Sequence, residues 1–184
     1  MDKDNTVLVV IDFQEAQTRI MPPEVGKTLV RNVKILISFA RQLKIPILLT
    51  EQYPKGLGKT ILEVREELAS VTPPVTPIEK LSFSCCGANA FNEQLEALKR
   101  NQLILTGIEA HICVLQTAAD LLRKGLGVHV VADAIGSRKK LDWEMALRQM
   151  ERKGAIISTM EIIAFQWLKE AGTEDFKQLS KLLK

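Results

Sequence analysis

Histidine is scarce in this chain: His111 and His129 are the two in 184 residues. A histidine-rich metal centre is therefore excluded, and no metal or other cofactor is expected. Cysteine is nearly as sparse, with Cys113 and the adjacent pair Cys85-Cys86 making three. That is a poor disulfide framework and favours a reducing compartment. No stretch approaches the ~18 consecutive apolar residues of a membrane helix. The start, Met1-Asp2-Lys3-Asp4-Asn5, lacks the apolar core of a signal peptide. The expected location is the cytoplasm. Basic blocks are missing too: 25 Lys and Arg against 22 Asp and Glu leave a net charge of +3. The densest run, Arg138-Lys139-Lys140, reads as a solvated loop, so nucleic acid is not an expected partner. Finally, Asp12–Arg19 (DFQEAQTR), after the first strand-like run, contains no glycine. A dinucleotide oxidoreductase needs G-x-G-x-x-G there, so that class is excluded.

What is present is a globular composition, 46% hydrophobic and 26% charged, in a length that suits one domain over residues 1–184. A domain of this size buries about 70% of the surface its unfolded chain exposes. The chain alternates short β-branched runs with helical stretches. Thr6–Ile11 (TVLVVI) is a continuous apolar run, as in a strand covered on both faces. Pro22-Pro23-Glu24 opens a helix in which Leu29, Val33, Leu36, Ile37 and Ala40 recur at helical spacing. Further strands are expected at Ile45–Thr50, near Val75–Glu79 as an edge, and at Gln102–Thr106, Val128–Ala132 and Ala155–Ile157. Glu51–Lys59 reads as a loop. Helices are expected over Thr60–Ser70, Ala88–Arg100, from Cys113 to Lys124, and over Leu141–Lys153. Ser158 and Glu161 have capping-box spacing for a helix through Leu168, and Thr173 can cap a final one.

Six strands alternating with helices imply a three-layer α/β/α domain, a mostly parallel Rossmann-like sheet ordered 3-2-1-4-5-6. Ligands then bind beyond the carboxyl ends of strands one and four. Asp12 ends strand one, Lys80 ends strand three, and Cys113 follows strand four at a helix start. Three reactive groups therefore converge on one crevice. A helix N-terminus and a nearby cation both favour a thiolate, and Asp12 is placed to take the thiol proton and return it to a leaving amine. The turn Gly107–Cys113 offers backbone N–H groups to a developing oxyanion. Singly, each residue has a plainer role. A cysteine after a strand usually packs, a strand-end aspartate usually caps a turn, and a lysine is usually solvated. The constellation, not any member, carries the argument.

With those residues in place, the chain resembles the isochorismatase-like cysteine hydrolases, which include nicotinamidases and carbamoylases. The matching pieces are Val9-Val10-Ile11-Asp12-Phe13-Gln14, Glu79-Lys80-Leu81-Ser82-Phe83-Ser84, and Thr106-Gly107-Ile108-Glu109-Ala110-His111-Ile112-Cys113-Val114. Asp133-Ala134 also fits, and Glu51–Gly58 looks most like the small isochorismatase-domain branch. The resemblance implies a catalytic Asp12-Lys80-Cys113 triad and a cis peptide between Ile108 and Glu109. It also implies an oxyanion hole from the backbone N–H groups of Glu109 and Cys113, and a homo-oligomer. Two departures narrow the reaction. Nicotinamidases carry a metal-binding Asp and His after strand two, where this chain reads Glu51-Gln52-Tyr53. Vinyl-ether-cleaving relatives generally lack the cysteine, so Cys113 favours acyl chemistry on a small amide-like or carbamoyl substrate.

Phe13, Gln14, Glu51, Tyr53, Phe83 and His111 are the candidate substrate contacts. Phe13 and Phe83 either wall the pocket or fill the core. Glu51 and Tyr53 either reach substrate or stand in a solvated loop. His111 is a pocket-wall or turn residue rather than a partner of Cys113, because neighbours two apart on a helix face differently. Cys85-Cys86 is either redox-active or small packing. The rival to hydrolysis is a non-catalytic oligomeric or partner-binding protein that kept the fold.

Overall fold

The computed structural model describes residues 1–183. Six strands form one sheet: β1 Thr6–Ile11, β2 Ile47–Gln52, β3 Ile78–Lys80, β4 Gln102–Ile108, β5 Gly127–Gly136 and β6 Ile156–Ser158. Their order is β3-β2-β1-β4-β5-β6 and every pairing is parallel, as expected. The helices are α1 Glu15–Arg19, α2 Pro23–Gln42, α3 Pro54–Leu57, α4 Leu62–Leu68, α5 Asn89–Leu98, α6 Leu115–Arg123, α7 Lys140–Arg152, α8 Met160–Leu168 and α9 Glu174–Leu179.

The two-residue period of a strand sends alternate side chains of β1 into two separate cores. Leu8 and Val10 join Leu36, Val64, Ile163 and Trp167 beneath α2, α4 and α8. Val7, Val9 and Ile11 join Phe91, Ala118 and Met150 beneath α5, α6 and α7. Both layers are apolar, which is why TVLVVI has no polar alternation.

Several boundaries differ from the expected ones, each for a local reason. Strand two begins at Ile47 and runs on through Glu51 and Gln52, because the Ile45 amide folds back to the Ala40 carbonyl at 2.8 Å. Strand three is the edge strand expected, but it lies at Ile78–Lys80, after the prolines have passed. Strand five extends to Gly136 through an irregularity beside Gly107. Ser158 is the last residue of β6; Thr159 is the cap of α8, its hydroxyl receiving the Ile162 amide. Thr173 caps α9 as expected, receiving the Phe176 amide. Cys113 does not start an α-helix. It lies within a wide turn of π-type, Ala110–Val114, that precedes α6. The Val114 amide reaches the Glu109 carbonyl at 3.3 Å, so one extra residue is accommodated before regular helix begins.

Gly107 is needed where β4 passes β1. Its φ is +143°, and a Cβ there would run into the Ile11 carbonyl oxygen. The Ile108–Glu109 peptide is cis, as is Thr72–Pro73.

Candidate active site

The switch point lies between β1 and β4, where crossovers leave in opposite directions. Strand alternation alone would send Asp12 into the layer of Leu8 and Val10. Instead Asp12 adopts φ +51°, a left-handed conformation that aspartate tolerates better than most residues. Such a residue costs on the order of 1 kcal/mol and persists where its surroundings over-determine it. Here the surroundings are explicit. Oδ1 of Asp12 accepts the Thr50 hydroxyl at 2.7 Å, and Oδ2 accepts the Lys80 ammonium at 2.7 Å. Both charged side chains are wholly buried.

Lys80 is the last residue of β3, and its ammonium is fully engaged. Besides Asp12 it donates to Gln52 Oε1 at 2.8 Å and to the Phe83 carbonyl at 3.0 Å. Burial pulls its pKa down, but the charge of Asp12, reinforced by Cys85 and Cys113, outweighs burial and raises it. Lys80 is therefore a fixed cation at neutral pH. A buried ion pair persists only with its remaining hydrogen-bonding capacity satisfied, and this one meets that condition.

Cys113 is 3% exposed and faces the same polar cluster. Burial pushes its thiol strongly upward, the Asp12 carboxylate adds to this through charge and a hydrogen bond, and Lys80 opposes. The resting form is thus a neutral thiol directed at a carboxylate. The helix start expected to favour the thiolate lies two residues further on, at Leu115, and Lys80 is paired with Asp12, so a base is needed to take the thiol proton. Cys85 is buried in the same neighbourhood, 3.8 Å from the Thr50 hydroxyl, with its thiol pushed up by burial and by Asp12 to about 12.

A cavity of about 300 Å³ opens onto Cys113. Its wall is largely apolar, with Ala16, Ile20, Leu57, Phe83 and Ile112, and its polar groups are Gln17, Gln52, Glu109 and Arg138. Among the six expected substrate contacts, Phe83 lines it, half exposed at the mouth. The others are placed elsewhere. Phe13 is core. Gln14 is a buried clamp, its Nε2 donating to the carbonyls of Gln52 and Gly58 and its Oε1 receiving the Gln52 amide. Glu51 points into the opposite layer, where one oxygen receives both the amide and the hydroxyl of Thr60. Tyr53 is half exposed outside the cavity, with a left-handed φ of +39°. His111 lies 2.9 Å from the Ser137 hydroxyl and does not line the cavity.

Thr50, Gln52 and Arg138 were missed. A period-two reading carried past Thr50 would have found the first two: Thr50 and Gln52 share a face, and Glu51 takes the other. Arg138 carried no such signal. A larger cavity, about 730 Å³, lies against α2 and α4 and is lined by none of these groups.

The fold that carries this geometry is shared with known proteins. The Isochorismatase domain model matches residues 6–162, and the chain belongs to that family. Among curated relatives, "Secreted isochorismatase effector Isc1" of Phytophthora sojae is 36% identical over 184 residues, covering 98% of this chain and 85% of the relative. Human "Isochorismatase domain-containing protein 2" is 37% identical over 183 residues, covering 98% and 83%. A solved structure described as "MAR1 Ribonuclease" from Caenorhabditis elegans superposes with a TM-score of 0.91 at 38% identity, covering 100% of this chain and 91% of that one.

Proposed function

We propose that this protein is a cysteine hydrolase acting on non-peptide C–N bonds of small amide-like or carbamoyl substrates. The observation that carries the reading is the buried Asp12–Lys80 pair at 2.7 Å beside Cys113 at the floor of a small cavity. As substrate enters, Asp12 takes the thiol proton while sulfur attacks the carbonyl carbon. The oxyanion falls to the backbone N–H groups of Glu109 and Cys113; losing one such donor costs about 3–4 kcal/mol of barrier stabilisation. The C–N bond breaks, and the amine leaves with the proton held by Asp12. Water then attacks the thioester, passing a proton to Asp12; the C–S bond breaks and the thiol reforms. Lys80 keeps positive charge against Asp12 and the transient thiolate throughout.

A thiol that is neutral at rest suits this scheme. Proton transfer and attack are coupled to binding, which limits side reactions of a free thiolate. The name of the C. elegans relative makes RNA the necessary control substrate. The cavity favours a small molecule, because Arg138 is the cation among its lining residues, and a polyanionic strand needs several. We place the protein in the cytosol: its three cysteines are free, which fits a reducing compartment, and no helix among the described residues is long and apolar enough to cross a membrane. We also infer a homo-oligomer, because Ile156 on β6 and Ile162 and Phe165 on α8 leave large apolar side chains exposed on neighbouring elements; light scattering reads its size.

A screen of small primary amides and carbamoyl compounds for ammonia release tests the reaction. Activity is expected in EDTA. Full activity of Cys113→Ala on the compound found would overturn covalent catalysis. Loss in EDTA that a divalent metal restores would overturn a metal-free mechanism.

A further inference from the structure

We propose that Arg138 receives a carboxylate on the substrate, so that the preferred substrates are small amides with an anionic tail. This rests on the reading of Cys113 as nucleophile, since that fixes which end of the cavity holds the amide.

Arg138 follows the end of β5, just past Gly136 and Ser137, and lines the same cavity as Cys113. Its position is imposed by the backbone. The Arg138 amide donates to Glu109 Oε2 at 3.0 Å, and the Nε edge of its guanidinium stands 3.5 Å from that same oxygen. Glu109 is 5% exposed and cannot follow the arginine outward, so it holds the base of the side chain and one edge of the fork. The guanidinium itself is 52% exposed, and among the described residues no other carboxylate stands within 4 Å of it. A half-solvated arginine that lines the cavity, with its Nε edge held by Glu109 and no other carboxylate beside it among the described residues, matches a carboxylate in bidentate geometry.

The remainder of the wall completes the shape. Lys80, the other cation nearby, is saturated by Asp12, Gln52 and Phe83 and has no donor left for ligand. Gln52 spends its oxygen on Lys80 and one Nε2 hydrogen on the Leu81 carbonyl at 2.8 Å, and carries no charge to answer an anion. The apolar lining of the cavity that holds Cys113 and Arg138 is Ala16, Ile20, Leu57, Phe83 and Ile112. A ligand that fits this lining has an amide at the thiol, a short methylene body against the apolar wall, and a negative group at Arg138. Half-amides of short dicarboxylic acids have that layout.

Calorimetry on the Cys113→Ala protein at low salt separates recognition from turnover. The probes are malonamate, succinamate and glutaramate, with butyramide as the neutral reference. The best half-amide is expected to bind at least about 10-fold tighter than butyramide, the scale of hydrogen bonds to charged groups. Adding Arg138→Leu should collapse that ratio towards one, and Arg138→Lys should leave it between the two, because the charge remains without the fork. A ratio near one with Arg138 present, or an unchanged ratio in Arg138→Leu, overturns the proposal. Turnover by the unmodified protein then distinguishes the two readings. Preferential binding without hydrolysis of any half-amide would keep Arg138 as a carboxylate contact and overturn half-amides as substrates, so that the failure lies with the proposed reaction and not with Arg138. Equal hydrolysis of half-amides and butyramide would do the reverse.

Discussion

Two cavities of this molecule invite opposite expectations. The one against α2 and α4 is the larger, about 730 Å³, and carries Arg19, Lys27, Arg31, Lys34, Glu63 and Glu67 around it. The one at Cys113 has less than half that volume. Yet the ion pairs around the large cavity, Lys27 with Glu24 and Arg41 with Glu67, stand at helix surfaces within reach of water, which screens them. Those beneath the small cavity are wholly buried and held by named partners. Volume records where layers fail to meet. Chemistry is marked by polar groups that the fold bears the cost of desolvating.

The largest effect should come from the thiol. Cys113→Ala is expected to lower kcat/KM by more than about 1,000-fold, and Asp12→Asn or Lys80→Ala added to it should cost little more, because groups acting as a unit are not additive. Lys34→Ala, in the large cavity, should stay within about twofold. Steady-state kinetics on the screened substrate decides; equal losses in the two cavities would erase the contrast.

The second test separates stability from catalysis at the buried pair. Lys80→Met strands the Asp12 carboxylate and should cost about 3–5 kcal/mol by urea unfolding, whereas Asp12→Asn with Lys80→Met should recover much of that and none of the activity. Recovery of both would make the pair structural.

A third test uses pH. Cys85 has its thiol raised from 9.0 to about 12 by burial and by Asp12. Its contribution to stability is fully present below the unfolded value near 9 and is lost as pH rises through the folded one. Lys80, also raised, acts in the same direction above its ordinary 10.5. Unfolding free energy should therefore fall from pH 9 upward, and Cys85→Ala should make the fall shallower by up to about one proton. A parallel slope in the variant would refute the assignment.

The smallest effect is expected at Glu51. Its oxygen serves Thr60 in the opposite layer. Glu51→Gln should lower stability by about 1–2 kcal/mol with kcat/KM nearly unchanged. A large change in KM with unaltered stability would return Glu51 to the substrate.

Residue order determined much of this protein. The apolar run Thr6–Ile11, the glycine-free turn after it and the strand–helix alternation suffice for a parallel sheet ordered 3-2-1-4-5-6, because crossover handedness leaves few other arrangements. Asp12, Lys80 and Cys113 were legible for the same reason: in such a sheet, strand ends meet. What lies within a residue or two of those ends was decided only by tertiary structure. Glu51 and Gln52 read as loop because polar residues give no strand signal, yet Thr60 and Lys80, distant in sequence, satisfy them there. Arg138 read as one of three solvated basic residues until Glu109 fixed its amide and steered its side chain to the cavity. The charge state of Cys113 was likewise beyond local reading. Its thiol pKa is pushed up first by burial and then by the charge of Asp12, 101 positions earlier, against the opposing charge of Lys80, and all three are set by tertiary structure.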